Sequence, residues 1–97
     1  MSGGNLEMSC VGNLTVRYAG GKPASFASVD VFQVNRVLWW EVDSWVTSKT
    51  CDVYGRASFT LVKGRKYHFI FKASGKRGDL WKVLDYCPFY VTAYFPS

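Results

Sequence analysis

Histidine is nearly absent from this chain: His68 stands alone among 97 residues. Cysteine is also scarce. Cys10, Cys51 and Cys87 are the three, and none falls in a C-x-x-C pair. A zinc site of ordinary ligand number therefore has no donor set, and no cofactor is expected. No apolar run approaches the ~20 residues of a membrane-spanning helix. Met1 to Cys10 has neither the basic start nor the apolar core of a secretory leader. No glycine-rich loop runs into a helical pattern, so nothing is shaped to cradle phosphate. Repeats, linkers, low-complexity tracts and convincing amphipathic helices are all missing.

What is present is aromatic and glycine-rich. Phe, Trp and Tyr make up 18% of the chain, hydrophobic residues 48%, and there are nine glycines. Aromatic and β-branched side chains suit a pleated surface, so the composition points to an all-β domain. The polar residues 1–12 read as a flexible lead-in and 13–97 as one domain. Leu14, Val16 and Tyr18 alternate with Thr15 and Arg17, which predicts a first strand over 13–19. Val29–Val34 reads as a second, with a bulge or two partly covered faces. The Trp-rich segment 35–49 is β-prone, with a turn expected at Asp43-Ser44 and either a strand or a short helix after it.

The stretch Thr50–Gly75 organises the rest. Asp52-Val53-Tyr54-Gly55 is expected to close one hairpin and Lys63-Gly64-Arg65-Lys66 a second. Asp52 suits an Asx-turn, while Gly55 and Gly64 supply the unusual backbone angles. Tyr67, Phe69 and Phe71 then face a core, and His68, Ile70 and Lys72 face away. Lys76-Arg77-Gly78-Asp79 reads as a charged loop and Leu80–Asp85 as a short strand. In the last segment Cys87, Phe89, Val91, Ala93 and Phe95 share one face. Tyr86, Tyr90 and Tyr94 share the other.

Two stretches carry a family resemblance. Gly21-Lys22-Pro23 through Ala27-Ser28-Val29-Asp30-Val31 resembles the G-x-P-x-x-x-A-x-V-x-V opening of carboxypeptidase-regulatory-like domains. Asp52 to Arg56, then Gly64, Tyr67 and the run to Gly75, is similar to that family's second half. The resemblance implies an Ig-like or prealbumin-like two-sheet sandwich of about seven strands. It also implies that the first and last strands lie side by side and parallel, which would let Cys10 and Cys87 form a disulfide. Pairings through Cys51, or three reduced thiols, remain open alternatives. Such domains are mostly non-catalytic modules that space, stiffen or bind, and the fold alone carries no function.

The chemistry agrees with a non-enzyme. Cys51 and His68 do not read as a nucleophile and base, because His68 is expected at the solvent-facing or edge side of its strand. Glu41 and Asp43 share a face if extended, where they could act as a pair or bind a cation, but they read as surface charges. Asn13-Leu14-Thr15 matches a glycosylation sequon at chance level.

Trp39, Trp40 and Trp45, with Tyr86, Tyr90 and Tyr94, are the candidates for a surface function. Exposed aromatics serve protein contacts or sugar stacking, unless segment 35–49 buries them locally. Seven of the twelve cationic residues lie between Lys63 and Lys82. Nucleic-acid binding is nevertheless disfavoured, since lysines also guard strand edges and hairpin tips.

The expectation is an extracellular or cell-surface module for protein contact or self-association, such as a filament subunit. In that case the N-terminal residues could complete a neighbour's sheet. The alternative is a carbohydrate-binding module that uses the tryptophans.

Overall fold

The computed structural model describes residues 8–97. Seven strands build two sheets packed face to face: β1 (Ser9–Arg17), β2 (Ser28–Val37), β3 (Trp40–Thr50), β4 (Arg56–Val62), β5 (Lys66–Ala73), β6 (Lys76–Val83) and β7 (Phe89–Tyr94). One sheet has the order β4-β1-β7, the other β3-β2-β5-β6. The chain is an all-β two-sheet sandwich. No helix among the described residues is long and apolar enough to cross a membrane.

Alternation decides which way each strand faces. Cys10, Leu14 and Val16 of β1, Val29 and Val31 of β2, Phe59 and Leu61 of β4, Tyr67, Phe69 and Phe71 of β5, and Phe89 and Ala93 of β7 are all buried. They meet as one core. Phe69 takes the edges of Phe59 and Phe89 at centroid distances of 6.0 and 6.3 Å, and Phe71 meets Phe95 at 5.1 Å. Each such ring contributes roughly 2–3 kcal/mol by leaving water. The Tyr67 hydroxyl is not stranded there, because it accepts from the Val62 amide at 3.0 Å. β1 runs antiparallel to β4 and parallel to β7, with Gly12 opposite Phe89. A side chain at Gly12 would begin 2.2 Å from the Phe89 ring, so the close approach of that ring requires glycine there.

The strand boundaries depart from the sequence reading in several places. Residues 9–12 are the start of β1 and not a lead-in; residues 1–7 lie outside the described residues. Segment 35–49 contains no helix, and its turn is Leu38-Trp39, with Val37 paired to Trp40. Leu38 alone of the two has positive φ, at 56°, the pattern of a II′ hairpin. Asp43-Ser44 is mid-strand, and β3 runs unbroken to Thr50. The register of β2 on β3 shifts at Val31/Phe32, where Val46 is the extra residue of a bulge.

Neither Asp52–Gly55 nor Lys63–Lys66 closes a hairpin. β3 and β5 belong to the four-stranded sheet and β4 to the other, so both turns are corners that carry the chain between sheets. Lys76–Asp79 is not a loop but the first half of β6. The turn is Ser74-Gly75, both at positive φ, as a I′ hairpin requires.

Cys10 and Cys87 are bridged, with Cα atoms 5.2 Å apart. β1 and β7 are adjacent and parallel, so the chain between Leu84 and Phe89 passes within bonding reach of Cys10.

Candidate functional site

The Trp set lies on the β2–β3 hairpin. β5 covers β2 only as far as Gln33, opposite Tyr67. Beyond that point Val34–Val37 and Trp40–Asp43 form a two-stranded arm with no third strand. Its tip is apolar: Leu38 is 71% exposed and Trp39 79%. Trp39 packs edge-on against Trp40 at 5.4 Å, which holds the two indoles as one body. Little else pins the arm. Lys66 reaches Glu41 at 3.2 Å, but both groups are solvated, so the pair contributes less than ~1 kcal/mol. Segment 35–49 therefore does not fold back to bury its tryptophans.

The Tyr set lies elsewhere. Tyr90 and Tyr94 point outward from β7, and Tyr86 precedes that strand; all three are exposed. β7 is an edge of the three-stranded sheet beside β6, whereas β3 is the far edge of the four-stranded sheet. The two aromatic sets are not brought together. Tyr90 instead borders an open groove of about 820 Å³ on the outer face of the three-stranded sheet, with Asn13, Thr15, Ser58 and Arg56. The Asn13 amide is engaged there, donating to the Phe89 carbonyl and accepting from Ser58 at 2.8 Å.

A third constellation escaped the sequence reading. On the outer face of the four-stranded sheet, Trp45 pairs with Phe32, Phe32 with His68, and His68 with Trp81. One aromatic row thus crosses all four strands. His68 is not solvent-facing as expected, for it is only 6% exposed. Trp81 stacks on it at 4.1 Å with the planes 10° apart, and Phe32 tilts against its other side. Nδ1 lies 2.6 Å from Asp43 Oδ2 and Nε2 lies 3.0 Å from Asp79 Oδ2. Each ring nitrogen thus faces one carboxylate, and the ring serves as a strut between Asp43 of β3 and Asp79 of β6. With both nitrogens committed, neither is left to draw a proton from a nucleophile. No local signal marks this cluster, because it depends on strand register. The bulge at Val46 and the pairing of β6 set that register.

Cys51 is far from His68 in kind as well as place. It is 2% exposed inside the core, and its amide donates to the Ala27 carbonyl at 2.8 Å. Burial, and secondarily the neighbouring Asp52 carboxylate, push its thiol up to about 11. The neutral thiol is thus the form the fold prefers. Its contribution to stability is complete below the ordinary thiol range and is lost as pH rises from there to about 11. Folded protein at pH 8 is expected to leave Ellman's reagent unreacted, and urea without reductant is expected to release a single thiol. Rapid reaction of the folded protein would contradict this placement.

Asp52 itself is structural in its contacts. Its Oδ1 accepts from the Tyr54 amide at 2.8 Å and the Arg56 amide at 3.0 Å. Gly55 follows at φ 76° and Gly64 at φ 89°. Among the described residues no group of three or more His, Cys, Asp or Glu is disposed to hold a metal ion. No protein-family model and no curated protein matches the chain.

Proposed function

We propose that this domain is a non-catalytic assembly module that docks to a second copy of itself through the β2–β3 arm. The observation that carries the reading is the projecting apolar tip of Leu38, Trp39 and Trp40 on an otherwise uncovered ribbon. An apolar surface of this kind on a small domain marks an interaction site. The strand behind it adds to the argument. β3 is an eleven-residue edge strand, exposed along almost its whole length on both faces. Its outer backbone edge is open from Trp40 to Trp45, up to the bulge at Val46 that ends regular pairing. Two arms aligned antiparallel across a two-fold axis would pair these edges and lay the apolar tip of each copy beside the strand of the other in an isologous contact.

The disulfide supports placement in an oxidising, extracellular or cell-surface setting. The two-sheet sandwich with parallel first and last strands supports kinship with carboxypeptidase-regulatory-like domains.

Light scattering during size exclusion over a range of concentrations tests the reading. The mass is expected to rise from monomer to dimer with concentration. Trp39→Ser/Trp40→Ser is expected to remain monomeric at every concentration with an unchanged β spectrum, since neither residue touches the core. A wild-type chain that stays monomeric into the millimolar range overturns the proposal.

A further inference from the structure

We infer that the outer face of the four-stranded sheet is a binding site for a neutral oligosaccharide, laid along the row Trp45–Phe32–His68–Trp81. This site is separate from the arm tip. Four features lead to that ligand class.

First, the row is a platform with exposed ends. Trp45 and Trp81 are 63% and 52% exposed, while His68 between them is buried and Phe32 half-buried. The strands that carry them lie three spacings apart, about 14 Å. That span suits several sugar rings in line and exceeds what a single monosaccharide needs.

Second, the platform is built before any ligand arrives. The Trp45 indole donates to Ser48 Oγ at 2.9 Å, and Ser48 donates to Asp30 at 2.6 Å. Trp81 is held by its stack on His68, which in turn is fixed by Asp43 and Asp79. The stack covers one face of the Trp81 indole and leaves the other to solvent. Rigid rings lose little freedom on binding, which is what a weakly attractive ligand such as a sugar requires.

Third, acceptors stand beside the rings. Asp43 and Asp79 each use Oδ2 on His68 and keep partial exposure of 35% and 30%. Among the described residues no hydrogen bond engages Oδ1 of either. A pyranose offers the matching pair of surfaces: a C–H face for indole and a rim of hydroxyl donors for carboxylate.

Fourth, the charges on this face cancel. Asp30, Glu41, Asp43 and Asp79 share it with Arg36, Lys66, Lys72 and Arg77, and His68 sits in the middle. An organic cation would face the arginines and lysines, and a polyanion would face the carboxylates. A neutral ligand meets neither penalty.

The test is ¹⁵N-edited NMR of the intact protein, titrated with hexasaccharides of β-1,4-glucose, β-1,4-N-acetylglucosamine, β-1,4-xylose, β-1,4-mannose and β-1,3-glucose. The four indole N–H signals report each tryptophan separately. At least one glycan is expected to shift the Trp45 and Trp81 signals in a saturable way, while those of Trp39 and Trp40 stay in place. Trp81→Ala is expected to reduce that affinity at least tenfold, and Trp39→Ala to leave it unchanged. Because Trp81→Ala also uncovers His68, the wild-type shift pattern decides the matter if that variant fails to fold. Shifts confined to Trp39 and Trp40, or none from any of the five glycans at millimolar concentration, overturn the inference. Neither result bears on self-association, which is read by mass.

Discussion

Replacing both bridged cysteines, as Cys10→Ala/Cys87→Ala, is expected to lower the unfolding free energy by ~4 kcal/mol. The size of the effect follows from where the bond falls. It joins positions 77 apart in sequence, nearly the whole chain, so it removes a large share of the freedom of the unfolded state. A domain of this length has only ~5–15 kcal/mol in total. Urea unfolding reads the change. The midpoint should fall sharply, and the slope should rise because an uncrosslinked unfolded chain exposes more surface. Reduction of the unmodified protein should move the midpoint in the same direction. A loss below about 1 kcal/mol in both experiments would show that the unfolded chain is already constrained by other means.

Gly55→Ala is expected to cost about 3 kcal/mol, the sum of ~1 for a side chain at positive φ and ~2 for a forced shift of packed groups. The new Cβ would begin 2.4 Å from the Val16 carbonyl oxygen and 3.2 Å from the Ala24 amide. Both obstacles are backbone, so no side chain can swing aside. The Gly55 carbonyl also accepts from the Val16 amide at 2.7 Å, which ties this corner to the central strand β1. Gly64→Ala is the control. It has a similar φ, but nothing stands within 4 Å of its Cβ position, so only the ~1 kcal/mol backbone term applies. Equal losses at the two glycines would mean that φ alone matters and that the corner yields without cost.

These two glycines also show how far the sequence could be read. Turn chemistry marks where the chain reverses, and both Asp52–Gly55 and Lys63–Lys66 are turns. It does not say whether the chain returns in the same sheet or crosses to the opposite one, because that depends on which face is already covered. Alternation was equally legible: Tyr67, Phe69 and Phe71 and the odd-numbered residues of β7 face inward as their period of two requires. Leu38-Trp39 was invisible because neither residue carries a turn preference. Lys76–Asp79 looked like a loop because charge and glycine imitate one. There Gly78 instead clears space for the Phe71 ring, 2.4 Å from where its Cβ would stand.

The candidate sites divide along the same line. Exposure of Trp39 and Tyr90 follows from composition and parity, since a small sandwich cannot cover both faces of every strand. The burial of His68 does not. It needs Trp81 from β6 and Asp43 from β3, which are 13 and 25 positions away in sequence and meet only through register. A lone histidine on an outward position has no local mark that distinguishes a solvated ring from a strut between two carboxylates.

The covalent link between β1 and the approach to β7 also decides how the domain carries load. Tension applied at the two chain ends enters at residue 10, crosses the sulfur–sulfur bond and leaves at residue 87. Residues 11–86 hang from that path as a closed loop that tension cannot draw out. Only β7 lies in line, held to β1 by its parallel ladder. Oxidised, the domain behaves as a short inextensible link with one strand that can be peeled; reduced, it becomes a spring whose whole length can be drawn out.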